Sequence, residues 1–247
     1  MSKQININQV SKSSSRLAPV FMRLVLIAGL SLATGVSFAD TVAIPSQAAN
    51  PFTTFDSQIA IGNNWTFGDI GGAVYQNNSV GLNVSKLFAN NLYVSVGGDQ
   101  AYSSTYTNYS ASNLAAQVGY AFLVEPEFQV IPYGQITRSQ LSNFDSSSNI
   151  DDIWYTGMAG VRLEYLPIRE LKFAVNGAYG LVGQNGTLNQ SSGTTVYGGS
   201  LNVGAGLSYQ PLANVPWLLN ADYAYNGYAG GLISQTNQIT VSTGYGF

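Results

Sequence analysis

Any chemistry in this chain must be done without histidine or cysteine, because the sequence holds neither. The commonest general base and metal ligand is therefore missing. Without a thiol there is no disulfide framework, thiolate metal site or lipid-bearing cysteine. Carboxylates, amides, hydroxyls and a few cations remain. Asp145, Asp151 and Asp152 stand close together in the segment DSSSNIDD, which invites calcium. The segment lacks the glycine-marked spacing of a calcium loop and reads as a solvated acidic stretch. No glycine-rich run is followed by the Lys-Ser/Thr of a phosphate loop. The chain is expected not to be an enzyme and to hold no cofactor or metal.

The other charged residues form a pattern. Glu164 and Lys172 flank the tight turn Pro167 to Glu170 at nearly equal distance, so they should meet across two strands. Arg162 lies one step deeper on the same face, and Asp99 and Asp222 fall on the equivalent face of their own segments. Their role depends on what that face encloses.

The first forty residues look like an address. Lys3, Lys12, Arg16 and Arg23 form a basic leader without acidic residues, followed by the apolar stretch Leu24 to Val36 and by Ser37-Phe38-Ala39. That is the layout of a secretory signal, with cleavage expected after Ala39. Met22 is an alternative start, since the segment it opens is a complete signal by itself. The apolar stretch falls short of the ~20 residues that span a bilayer as a helix. Residues 40–247 would keep all 12 acidic residues but only five basic ones, Lys86, Arg138, Arg162, Arg169 and Lys172, for a net charge of −7. Nucleic acid is therefore not expected as a partner.

Only 9% of the chain is charged, against 45% hydrophobic. A soluble domain usually carries about a quarter charged residues. The apolar residues alternate with polar or small ones. In Thr236 to Phe247, Ile239, Val241, Thr243, Tyr245 and Phe247 share one face while Gln238, Thr240, Ser242, Gly244 and Gly246 share the other. Period two is the signature of a strand with unlike faces. Similar runs span Ser57 to Phe67, Ser79 to Phe88, Leu92 to Tyr102, Asn113 to Val124, Phe128 to Gln140, Ile153 to Leu166, Leu171 to Val182, Val196 to Gln210 and Trp217 to Tyr228. That makes ten candidate strands, or eight should the first, with Asn63 on its apolar face, fail to pair.

Short connections alternate with longer ones rich in Ser, Asn, Thr and Gly, such as Asn143 to Asp152 and Gln184 to Thr194. Phe88, Phe128, Tyr165, Tyr209 and Trp217 lie at strand ends beside the short turns, where a membrane barrel carries an aromatic girdle. A β-sandwich would place its large aromatics centrally instead. The reading is an all-β, transmembrane, antiparallel up-and-down barrel over 57–247, with 40–56 as a short periplasmic lead-in. Pro132 removes a donor from its strand and calls for a bend or bulge.

Tyr245-Gly246-Phe247 resembles the C-terminal signal by which the barrel-assembly machinery recognises bacterial outer-membrane proteins. Thr240 fits its polar position, and Ser242 stands where glycine is usual. Val130-Ile131-Pro132-Tyr133-Gly134 resembles the Pro-Tyr-x-Gly segment of OmpA-like and opacity-type small barrels, with one residue fewer before the glycine. The resemblance implies the bacterial outer membrane as location, with its lipid and the assembly machinery as partners. It also implies membership of a group that includes adhesins, structural barrels and narrow channels.

On that reading Asp99, Arg162, Glu164, Lys172 and Asp222 face the lumen. They form either a structural network that fills a narrow barrel or a constriction that selects small solutes. The expected role is structural or surface-interacting, through the outer loops, with a narrow porin-like channel as the alternative.

Overall fold

In a computed structural model of the chain, residues 50–70, 73–104, 109–145, 148–188, 194–229 and 233–247 are described. The expected signal over 1–39 and the beginning of the lead-in lie outside the described residues. A short helix α1 (Thr53–Asp56) precedes β1 (Gln58–Ile70), β2 (Ala73–Leu87), β3 (Leu92–Ser104), β4 (Tyr109–Tyr120) and β5 (Phe122–Glu125). There follow β6 (Phe128–Asp145), β7 (Ser148–Ile168), β8 (Leu171–Leu188), β9 (Thr194–Tyr209), β10 (Trp217–Tyr228) and β11 (Ile233–Gly246).

Each strand is antiparallel to the strands it pairs with. β1 pairs with β11 from Gln58↔Gly246 to Ile70↔Ile233, and β4 pairs with β6, so the sheet closes on itself. β4 and β5 share one position beside β6 and are separated only by Ala121, which gives a ten-stranded barrel. The eight-strand alternative fails because β1 is paired along its whole length on both sides. Asn63 takes part, opposite Val80 and Val241, while its side chain stays on the outer face.

Pro132 causes no bulge in its own strand. It sits opposite Val161 in an unshifted register with β7, and on its other side the ladder passes from Gly119↔Tyr133 to Phe122↔Val130 with no change of register. The missing donor thus falls where β4 breaks at Ala121, whose own N–H goes instead to the Asn91 carbonyl at 2.8 Å. Asn91 itself has φ 65°, a left-handed conformation that asparagine tolerates in the turn before β3.

The segments expected as loops at Asn143 to Asp152 and Gln184 to Thr194 are largely strand. β6 and β7 stay paired from Phe128↔Tyr165 to Asp145↔Ser148, and β8 stays paired with β9 as far as Gly186↔Thr194. β7, at 21 residues, far exceeds the ~9–11 that cross a bilayer. Hairpins with water on both faces lose the apolar alternation that marks a strand in sequence.

The outer face is apolar. Ile59, Val161, Leu163, Val175, Val203 and Val241 stand exposed in a band around the barrel. Tyr165, Tyr209, Trp217, Tyr245 and Phe247 are exposed at its short-turn edge, with Phe128 half-buried opposite Tyr165 and Phe88 half-buried in its turn. A second row, Phe67, Tyr102, Tyr155 and Tyr179, is exposed towards the other edge. Tyr155 and Tyr165 lie on one strand, and ten residues of tilted strand rise about 25 Å, the height of a lipid-facing band.

Inward glycines seat the side chains of neighbouring strands. A Cβ on Gly160 would lie 2.6 Å from both the Ala178 Cβ and the Gly177 carbonyl and 2.8 Å from the Tyr133 ring, whereas one on Gly134, on the outer face, would meet nothing. Gly160→Ala should therefore lower unfolding stability by ~1–3 kcal/mol, while Gly134→Ala should change it by less than ~0.5 kcal/mol. Urea midpoints of the refolded barrel, followed by the heat-modifiable gel shift, compare the two directly.

Candidate functional site

At the short-turn end of the lumen, α1 packs against the inside of the barrel wall. The dipeptide Asn50-Pro51 starts a turn: Asn50 Oδ1 accepts the Phe52 N–H at 2.9 Å, and the Thr53 hydroxyl donates to the Asn50 carbonyl at 2.7 Å. The single helical turn that follows places Phe52 and Phe55 inside the barrel with Leu166 of β7 and Leu218 of β10, all four buried. At its exit, Ser57 is tied to the end of β2 by the Leu87 N–H at 3.1 Å. Its carbonyl accepts the Phe247 N–H at 2.9 Å. The lead-in therefore ends as a stopper joined to both ladder neighbours of β1, at the end of β2 and just past β11.

Asp56, the last residue of α1, meets the cations of the barrel wall. Lys172 Nζ lies 2.6 Å from Asp56 and 2.9 Å from Glu164. Arg162 Nε lies 2.9 Å from Glu164, and its Nη2 lies 3.5 Å from Asp56. Gln129 donates to both carboxylates, at 2.6 Å to Asp56, and accepts from Asn50 at 3.2 Å. The Arg162 guanidinium also lies 4.5 Å from the Tyr93 ring centre and donates to the Tyr93 hydroxyl at 3.2 Å. Two carboxylates and two cations thus balance in a site from which water is nearly excluded, the condition under which buried charges are tolerated. Burial, then the Glu164 carboxylate, pushes the Asp56 carboxyl up to about 6 against the opposing pull of Lys172 and Arg162.

Arg162, Glu164 and Lys172, which the sequence placed on one face, are thus brought together. Asp99 and Asp222 are not part of that group. Asp99 accepts from Asn113 at 3.0 and 3.1 Å, while Asp222 rests over Gly206 and opens onto the cavity. Among the described residues neither has an ion-pair partner. Sequence reasoning missed Asp56 and Tyr93. Charge balance could have found the first, since Arg162 and Lys172 needed one carboxylate more than Glu164. Parity could have found the second, which alternates with Ser95, Gly97 and Asp99.

Beyond α1 the lumen holds a cavity of about 500 Å³ that reaches as far as Trp154 and Tyr228. Its wall is a relay of amides and hydroxyls. Asn176 donates to Asn202 at 2.7 Å, Asn202 to Asn226 at 2.8 Å and Asn226 to Thr236 at 3.2 Å. On another arc Thr240 donates to Asn64 at 2.7 Å, and Asn64 to Ser79 at 3.3 Å. Near the long-strand end Ala111, Trp154 and Val182 form a buried cluster against which Ala101 and Tyr228 pack.

No family model matches the chain, and no curated protein matches it in sequence. It is similar to the solved structure of Ail, the attachment invasion locus protein of Yersinia pestis, at 17% identity over 77% of this chain and 97% of that one, with a TM-score of 0.42. For neisserial surface protein A (NspA) the values are 13%, 77%, 96% and 0.42. For the outer membrane protease OmpT from Escherichia coli they are 12%, 82%, 99% and 0.48. The last of these corrects the expectation that the chain is not an enzyme.

Two outcomes are expected at the ion-pair group. Glu164→Ala leaves two buried cations facing one carboxylate and should cost ~3–5 kcal/mol of unfolding free energy, read from urea midpoints. Asp56 has a folded-state value above its unfolded one, so its stabilising contribution is complete below about pH 4 and lost as pH rises through about 6. The midpoint of the natural chain should therefore fall relative to that of Asp56→Asn between pH 4 and 7. Parallel curves through that window would show that Asp56 ionises as it does in the unfolded chain.

Proposed function

We propose that the chain is an integral protein of the bacterial outer membrane, exported by the signal at 1–39, with a structural role or one exerted through its outer loops. The band of apolar residues between two aromatic rows supports insertion, since a closed barrel leaves no unpaired backbone towards lipid. Tyr245 and Phe247, exposed at the short-turn edge, are the proposed recognition signal for the barrel-assembly machinery. Phe88, Phe128, Tyr165, Tyr209 and Trp217 are the proposed girdle on that side, and outer-membrane lipid is the proposed surrounding. Asp56, Arg162, Glu164 and Lys172 are assigned a structural role.

The observation that carries this reading is α1 lodged across the lumen. A barrel of this size is narrow already, and Phe52, Phe55 and the paired charges occupy the remaining section. A second reading, a narrow channel for ions or small polar solutes, draws on the hydrophilic cavity beyond the stopper. Projecting hairpins such as β6–β7 would present the loops well clear of the membrane.

Conductance separates the two. The refolded natural chain in a planar bilayer should show no stable through-current, and the combined substitution Phe52→Ala, Phe55→Ala, Asp56→Ala should produce discrete openings. Steady conductance by the natural chain would establish the channel and overturn the closed lumen.

A further inference from the structure

We infer that the cavity inside the barrel is a binding site for a linear organic polycation carrying N–H donors, a polyamine. This rests on the proposed closure of the short-turn end, which leaves the cavity as a well entered from the side of Trp154 and Tyr228.

The charge count comes first. Every cation in the described lumen is already engaged: Lys172 and Arg162 both reach Asp56 and Glu164. Asp99 and Asp222 remain without an ion-pair partner among the described residues, and both line the cavity. An anion entering there would meet two carboxylates and no free cation. A cation would meet the opposite.

The polar groups left over in the wall point the same way. Asn220, two residues before Asp222 on the same inward face of β10, is 6% exposed. Its amide nitrogen donates to Gln58 at 3.1 Å and to Ser242 at 3.2 Å, and its Oδ1 has no partner. Asn77, 5% exposed and also in the cavity wall, has an unpartnered Oδ1 as well. A buried acceptor left without a donor is costly, so these two positions each lack a donor. An ammonium offers three of them together with the charge.

The arrangement selects the length of the ligand. Register places Asp222 opposite Thr240, Thr240 opposite Asn64 and Asn64 opposite Ser79, which lies one ladder step from Asp99 through its neighbour Ala101. The two carboxylates are therefore joined by an arc of hydroxyls and amides crossing from β10 to β3, on the order of 15–20 Å at ~4.8 Å per strand. A single ammonium cannot reach both ends, whereas a linear chain with several nitrogens can. A bare metal ion fits poorly, because among the described residues no three metal-ligating side chains gather. The volume, about 500 Å³, equals the liquid share of roughly seventeen waters at ~30 Å³ each, and displacing them makes room for such a chain.

Spermine titrated calorimetrically into the refolded full chain in detergent micelles tests this, with 1,4-butanediol as the neutral control. One saturable spermine site is expected, with none for the diol, and with affinity falling as salt is added. Asp222→Asn and Asp99→Asn should each weaken binding about tenfold, a loss of ~1.4 kcal/mol, and the double variant should abolish it. Glu125→Gln with Glu127→Gln, at exposed positions in a short turn outside the lumen, should leave the affinity unchanged. This variant keeps the test decisive should a lumen variant fail to fold. Absent saturation, affinity indifferent to both lumen aspartates, or loss on neutralising Glu125 and Glu127 would each overturn the site. Because binding is read without current, a conducting natural chain would overturn the closed lumen alone.

Discussion

A strand that faces hydrocarbon has no water to satisfy its backbone, so every N–H and C=O must find a partner within the protein. In this chain that condition is met where β1 meets β11, over the ladder from Gln58↔Gly246 to Ile70↔Ile233. Without that pairing the strands would form an open sheet with two long unpaired edges. The same constraint explains the treatment of Pro132. Its missing donor faces the break at Ala121, a buried position, while its register with β7 continues unshifted.

Closure creates a second problem inside. Side chains alternate, so half of every strand points into a narrow lumen shielded from water by the wall itself. The interior meets this with two solutions at different heights. At the short-turn end, paired charges and aromatic rings exclude water, and α1 supplies the carboxylate that balances them. Higher up, amides and hydroxyls bond in relays across strands, and glycines beneath them hold the space. Gly204 seats Asn176, Gly206 seats Asp222 and Gly97 seats Asn83. These glycines are part of the polar wall, since a Cβ at any of them would displace the side chain that lies over it.

The ten strands were legible because each separates an apolar outer face from a polar lumen, and that contrast writes period two into sequences such as Thr236 to Phe247. Legibility ended where the contrast ended. The outer parts of β6 and β7, around Asn143 to Asp152, carry Ser, Asn or Asp at both parities and read as loop. Glu164 and Lys172 could be paired from their distance to a shared turn, because register across a tight hairpin follows from counting. Asp56 could not be placed by counting. It reaches Lys172 from 116 residues away, through a helical turn with no periodicity of its own.

By itself the sequence determined the kind of barrel, the face each strand turns outward and the turn-end position of its aromatics, because these follow from local alternation and from the order of the strands. The tertiary structure alone decided that residues 50–57 enter the lumen, that Asp99 and Asp222 stay apart from the ion-pair group, and that a cavity extends from α1 to Trp154. Those outcomes depend on contacts across the barrel. Which side chains meet there is set by closure and by the stagger of the strands, and neither is a property of any single segment.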